Sequence, residues 1–363
     1  MRLIGLMSGT SLDGVDAALV DFDAAGRPAL AGLHHQPYSS SLAHRLRGLT
    51  GDSPLQAVLA ADAELAGVYA TAVDALLAET EAAAGGIDAI ALHGQTIWHA
   101  PRAEPPVTCQ IGDPSRLAEA TGITVVADFR QRDLAAGGEG APLAPLFHSV
   151  MFAADHARCV VNIGGISNVT VLGPGGRIIR GFDTGPGNTL MDAWIRRHRG
   201  EPFDAAGAWA ASGRVNGDLL AGLLADPYFR QPPPKSTGVE YFNPDWLATH
   251  PATARTAAAD VQATLSALTA CSVAEAIQTW GHDPVDVILT GGGALNGNLC
   301  HRLADELPGL RVYAGEEAGF PASAVEAVGF AWLGRATLRG EAVDTRVVTG
   351  ASRPVTLGGI YPG

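Results

Sequence analysis

Short apolar runs broken by small or hydroxylated residues alternate with longer Ala- and Leu-rich stretches along most of the chain. Residues 4–7 and 15–19 are apolar strands joined by a hydroxyl-rich turn, Ser8-Gly9-Thr10-Ser11-Leu12-Asp13-Gly14, and the second strand ends near Phe22-Asp23. Residues 54–84 carry the apolar spacing of one or two helices, closed by Gly85-Gly86 as a C-cap signal. Residues 87–92 predict a strand whose carboxyl end delivers His93. A strand at 107–111, a helix at 114–120 and a strand at 123–128 complete an α/β half, a sheet covered by helices.

The second half restarts the plan. Residues 159–163 form a strand, 164–168 a small-residue turn, 169–172 a second strand and 177–182 a third. This echo of the first hairpin is a structural duplication without a repeated sequence period. It predicts one domain over 1–145, joined by a returning tail at 346–363, and a second over 146–345 that holds Asp183 and the Gly291–Gly293 loop. Two such halves leave a cleft between them, a common position for ligands. Residues 201–250 are richer in Pro and aromatics, which reads as a substrate-side excursion or an interface. A helical stretch at 252–280, a strand at 285–289, a helix from about 296 and a last helix at 322–337 follow, and the long apolar helices permit a homodimer.

Composition narrows the class. The length of 363 residues suits about two domains of roughly 150 residues each. With 47% hydrophobic and 17% charged residues the chain is globular with a large core. A net charge of −13 argues against a nucleic-acid partner, which needs clustered Lys and Arg. An anionic nucleotide must then be held by backbone N–H groups and a metal ion. The four cysteines (Cys109, Cys159, Cys271, Cys300) have neither CxxC nor zinc spacing, Met1-Arg2 runs straight into a strand, and no apolar run reaches the ~20 residues that span a bilayer. The expectation is a cytoplasmic protein with reduced thiols and no membrane partner. Lys235 is the only lysine among 24 Lys and Arg residues. In a composition so biased to Arg it marks either chance on a loop or a place that needs a compact, three-donor ammonium.

Two segments carry chemistry. In the first turn, short side chains let backbone N–H groups face an anion, and Asp13 and Asp16 add carboxylates suited to a divalent cation beside phosphate. The same residues also build ordinary hairpin turns. In Ile178-Ile179-Arg180-Gly181-Phe182-Asp183-Thr184-Gly185-Pro186-Gly187-Asn188, a carboxylate at a strand end, beside glycines and a helix start, can reach a nucleophile as a general base. An isolated Asp there also reads as a capping residue. No Walker loop occurs, and the late Gly291-x-Gly293 misses dinucleotide spacing, its third glycine falling at Gly297.

Taken in order along nearly the whole chain, these segments resemble the anhydro-N-acetylmuramic acid kinases, members of the sugar kinase, heat-shock chaperone and actin ATPase superfamily. The resemblance also takes in His93-Gly94-Gln95-Thr96-Ile97-Trp98-His99, Gln110-Ile111-Gly112-Asp113, Asp128-Phe129-Arg130, Gly140-Ala141-Pro142-Leu143, Asn162-Ile163-Gly164-Gly165-Ile166-Ser167-Asn168 and Lys235-Ser236-Thr237-Gly238. It implies an α/β fold of two actin-like (ribonuclease H-like) domains with a central cleft. It implies ATP and Mg²⁺ as cofactors, bound by Gly9, Thr10, Ser11, Leu12, Asp13, Gly14, Val15 and Asp16 and by Gly164, Gly165, Gly291, Gly292 and Gly293, with Asp13 nearest the metal. His93, Gln95, Thr96 and Glu326 are placed at an anhydro-amino-sugar substrate, and Arg130 and Asp133 form either an ion pair or the edge of that site, where a lactyl carboxylate would lie. Asp183 is implied to activate water, which opens the 1,6-anhydro ring while O6 accepts the γ-phosphoryl group. The alternatives are another sugar or carboxylate kinase on this fold, or an ATPase with no small-molecule acceptor. Glu139 stands where the family pattern has Gln, and Ser323 and Val325 where it has Asp and Lys, which touches finer contacts rather than the reaction class.

Overall fold

The computed structural model describes residues 1–9 and 12–363, so Thr10 and Ser11 of the first turn lie outside the described residues. The chain forms two compact units, Met1–Met151 with Ala324–Gly363, and Phe152–Ser323. Seven strands come first: β1 (Arg2–Met7), β2 (Gly14–Phe22), β3 (Pro28–Pro37), β4 (Ala89–Leu92), β5 (Gln95–Ala100), β6 (Val107–Ile111) and β7 (Val125–Ala127). The second unit contributes β8 (Arg158–Ile163), β9 (Ile166–Leu172), β10 (Ile178–Pro186), β11 (Asp286–Thr290) and β12 (Arg311–Ala314). The last strand is β13 (Gly359–Tyr361).

The expected duplication is visible in the sheets. The first unit's sheet has the order β13-β7-β4-β1-β2-β3, with β1, β4 and β7 parallel and β2 and β3 antiparallel to their neighbours. The second has the order β10-β9-β8-β11-β12, with β8, β11 and β12 parallel and β9 and β10 antiparallel. Each is the ribonuclease H-like arrangement, with the first strand central, a meander on one side and parallel strands on the other. In the first unit β13 is added, antiparallel to β7.

Each sheet is buried by what its apolar strands demand. In the first unit, Ile4, Leu6, Val15, Ala17 and Leu19 pack with Leu65, Tyr69, Val73 and Leu76 of the single helix Leu55–Glu79. That helix is capped at Thr80, and Gly85 and Gly86 fall instead in a separate short turn. In the second, Val161, Val169 and Phe182 pack with Leu265 and Leu268 of the helix Ala258–Trp280. Thr269 of that helix donates its hydroxyl to the carbonyls of Pro186 (3.0 Å) and Gly187 (2.9 Å), pinning the end of β10. No described helix is long and apolar enough to cross a membrane.

One boundary differs from expectation. The last large helix, Val325–Leu338, belongs to the first unit, although the sequence assigns 146–345 to the second. Glycine makes this packing possible: a Cβ at Gly5 of β1 would overlap the backbone carbonyl of Ala327, and one at Gly334 would lie 2.6 Å from Ala91 Cβ. β3 does not stand out in the sequence; it is a sheet edge, half exposed and interrupted by a register shift, so its apolar alternation is faint.

Candidate active site

In the first unit the turn after β1 is anchored from below. Ser8 is buried and its hydroxyl lies 2.9 Å from that of Tyr69. The carbonyl of Gly9 accepts from the Gln95 amide at 3.2 Å and from the N–H of Leu12 at 3.4 Å, Leu12 having φ of 54°. Val15 is fully buried, and Gly14 is glycine because β3 passes it at Gln36 and His35. Asp16 is bonded through Oδ1 to Nδ1 of His35 at 2.8 Å. Burial raises the Asp16 pKa, the bond to His35 opposes this, and Asp13 pushes in the same direction as burial. Among the described residues no three His, Cys, Asp or Glu side chains are grouped to hold a metal ion. One or two carboxylates fit Mg²⁺ carried on phosphates, which needs no all-protein cage.

Beside this turn β4 delivers His93, whose ring lies 4.6 Å from that of Phe330. Its Nε2 accepts from Arg130 Nε at 3.0 Å, which places the ring proton on Nδ1. Burial, and then the Arg130 charge, push the His93 pKa well below its ordinary value. Arg130 also donates to Gly140 O at 2.9 Å; burial brings its pKa down to about 10, against the pull of Glu326 and Asp133. Burial raises the Glu326 pKa, the Arg130 charge opposes this, and Asp16 adds to it. Asp133 instead accepts from Gly140 N–H (2.7 Å) and the Thr349 hydroxyl (2.9 Å) and braces the loop. Thr96 accepts from Gln110 at 3.2 Å, and the side-chain oxygens of Gln95 and Gln110 are buried without a hydrogen-bond partner among the described residues. Such acceptors are costly unless something answers them. Glu139 is spent on an ion pair with Arg102 at 3.1 Å.

In the second unit Asp183 lies within β10 rather than at a strand end, opposite Asn168, at a bulge that precedes Gly185. Its N–H donates to Lys235 O (3.2 Å), its carbonyl accepts from the Tyr228 hydroxyl (2.8 Å) and its Oδ2 accepts from Thr237 N–H (3.0 Å). Burial pushes its pKa up to about 6; Glu240 adds to this, while the Thr237 N–H and the Lys235 charge oppose it. The carbonyls of Gly164 and Gly165 accept from Asn188, Gly187 and Thr189 at 2.8–3.1 Å, which ties that turn to the start of the helix Thr189–Arg199. Gly291 has φ of 76° and packs on Asn162, Gly293 packs on Ile163, and a Cβ added at Gly292 would lie 4.0 Å from the Asn188 amide nitrogen. The structure therefore brings Gly164, Gly165, Asn188 and the three late glycines together.

A model of the anhydro-N-acetylmuramic acid kinase family matches residues 1–363. The chain belongs to that family. An anhydro-N-acetylmuramic acid kinase of Variovorax paradoxus (strain S110) is 51% identical, the match covering 99% of this chain and 98% of the relative. One of Xanthomonas axonopodis pv. citri (strain 306) is 49% identical over 99% and 97%. Among solved structures, the activator of the 2-hydroxyisocaproyl-CoA dehydratase from Clostridium difficile with bound ADPNP is 13% identical with a TM-score of 0.49, over 92% of this chain and 93% of that one.

Within this kinase, Gln110 figures in the sequence only as part of the Gln110–Asp113 segment and not as a site residue, and Tyr228 and His35 do not stand out at all. Gln110 had a signal, since Thr108 and Gln110 put polar side chains on alternate positions of a strand. Tyr228 and His35 had none, because their partners Asp183 and Asp16 lie 45 and 19 residues away.

Proposed function

We propose that the protein uses ATP to open the 1,6-anhydro ring of anhydro-N-acetylmuramic acid and to phosphorylate O6, giving N-acetylmuramic acid 6-phosphate and ADP. The observation that carries this reading is the family match over the full 363 residues. Asp183 takes a proton from water, the water oxygen bonds to C1, and the C1–O6 bond breaks. The released O6 attacks the γ-phosphorus, and ADP leaves. A carboxylate with a pKa near 6 suits this role, because it is ionised at neutral pH yet basic enough to accept a proton. The first turn, Gly164-Gly165 and Gly291-Gly292-Gly293 hold the nucleotide phosphates through backbone N–H groups. Asp13 would hold Mg²⁺ on the nucleotide phosphates, where the ion would offset charge on their oxygens. His93, Gln95, Thr96, Arg130 and Glu326 hold the sugar, Arg130 facing its lactyl carboxylate.

Mass spectrometry of the sugar incubated with the protein, MgATP and ¹⁸O-water tests the reading. A product with one new phosphate and one ¹⁸O at the anomeric carbon is expected; unchanged sugar with ADP accumulating would overturn it. Because the base must be ionised, kcat/KM is expected to rise with pH through about 6 and then level off, read from a pH–rate profile. Arg130→Gln should raise KM for the sugar by about tenfold or more, the scale of a lost charge-assisted hydrogen bond, with KM for ATP little changed. Equal effects on both would remove Arg130 from the sugar.

A further inference from the structure

The only lysine of the chain sits against the backbone of the proposed base. Lys235 Nζ donates to two successive carbonyls, those of Tyr228 and Phe229, each at 3.2 Å, and lies 4.6 Å from the centre of the Tyr228 ring. The Tyr228 hydroxyl donates to the carbonyl of Asp183 at 2.8 Å, and the Asp183 N–H donates to the carbonyl of Lys235 at 3.2 Å. These bonds close a ring of three residues: Asp183 to Tyr228, Tyr228 to Lys235, and Lys235 back to Asp183. Two residues on, Thr237 N–H holds the carboxylate itself at 3.0 Å. We propose that Lys235 is a positioning residue, whose ammonium closes this ring and fixes where the Asp183 carboxylate points.

The chemistry explains why arginine does not stand here. One compact nitrogen reaches two neighbouring carbonyls while resting on an aromatic face, whereas a guanidinium spreads its donors across a planar fork. The ring is held from outside by Asp226, which accepts from Tyr228 N–H (2.9 Å), the Tyr241 hydroxyl (3.0 Å) and Trp246 Nε1 (2.9 Å). The groups facing Asp183 are Lys235 and Glu240, of opposite effect on its charge, and the Tyr228 phenol; Lys235 in turn faces Glu275 of the helix Ala258–Trp280. Removing the ammonium would loosen the ring and also raise the pKa of the Asp183 carboxyl.

The inference rests on Asp183 as the base, and its test is chosen to stand apart from that reading. In the full chain, the ¹³C shift of the Asp183 carboxyl, assigned by loss of the signal in Asp183→Asn, is followed against pH without substrate. Lys235→Met should move the midpoint upward, and Lys235→Arg, which keeps the charge, should leave it near the wild-type value. In turnover assays Lys235→Met should lower kcat on the order of 100-fold, the cost of a misplaced catalytic group, with KM for both substrates nearly unchanged. Lys235→Arg should recover only part of that loss. A Lys235→Met protein with wild-type midpoint and kcat overturns the proposal. If that variant does not fold, Tyr228→Phe opens the same ring without a charge change. It should lower kcat with the midpoint unmoved, and an unchanged kcat there overturns the proposal too. A wild-type protein that does not act on the sugar refutes the functional reading, while the ¹³C midpoint still shows whether the Lys235 ammonium acts on the Asp183 carboxyl.

Discussion

Replacing Asp183 with asparagine is expected to abolish most turnover while making the protein more stable at neutral pH. The loss in kcat should be about 10²–10⁴-fold, the range for removing a positioned general base. Binding of a non-hydrolysed ATP analogue and of the sugar should persist, because asparagine keeps the shape and can still accept the Thr237 N–H with its amide oxygen. The stability effect follows from the direction of the pKa shift. The carboxyl titrates near 6 in the folded protein, above its ordinary 3.8, so the folded state holds the proton more tightly than the unfolded chain. That contribution to stability is complete below about pH 4 and is lost as pH rises through 6. At pH 8 the wild type therefore carries the full cost of a partly buried charge, at most about 3 kcal/mol for a two-unit shift and less with solvent screening. Asparagine carries no such charge. Thermal unfolding at pH 8 should show the variant melting a few degrees higher, and at pH 4 the difference should shrink towards zero. Near-wild-type turnover in the variant would remove Asp183 from the role of base, whatever the melting curves show.

What the chain reveals by inspection, and what it hides, follows from how local each cause is. The two hairpins and the strand that delivers His93 are legible because apolar runs and small-residue turns are local signals. The position of Asp183 is legible only as a residue near glycines. Its place inside β10 depends on a bulge against β9 and on hydroxyl bonds from Thr269 to Pro186 and Gly187, 83 and 82 residues apart. The pairing of Arg130 with His93 spans 37 residues and with Gly140 only 10, yet neither has a periodic signature. Lys235 is conspicuous by composition, but its meaning lies in three bonds to atoms that only the fold brings near. The unit that the helix Val325–Leu338 joins is hidden for a related reason: the sequence shows its apolar faces but not which sheet has glycine where the helix must approach.

That close approach sets a sharp test of the first unit. Gly5 lies in β1 opposite Ala18 of β2 and Ala91 of β4, and a methyl group there would overlap the carbonyl oxygen of Ala327 and come within 3.1 Å of the Ala331 nitrogen. Both obstacles are backbone of the helix Val325–Leu338, so no side-chain rotation relieves them. Gly5→Ala is expected to destabilise the protein by about 1–3 kcal/mol or more, the cost of overfilling a packed core. Gly67 provides the contrast. It lies exposed in the helix Leu55–Glu79 with nothing within 4 Å of an added Cβ, so Gly67→Ala should stabilise by about 0.5–1 kcal/mol through helix propensity alone. The same methyl group thus acts with opposite signs at two glycines of one unit, which denaturant titration reads directly. The Gly5 variant should also lose turnover where it remains folded, because β1 leads into Ser8 and Gly9 while the displaced helix carries Glu326. Unchanged stability in Gly5→Ala would mean that the helix does not rest on β1 as closely as this packing requires.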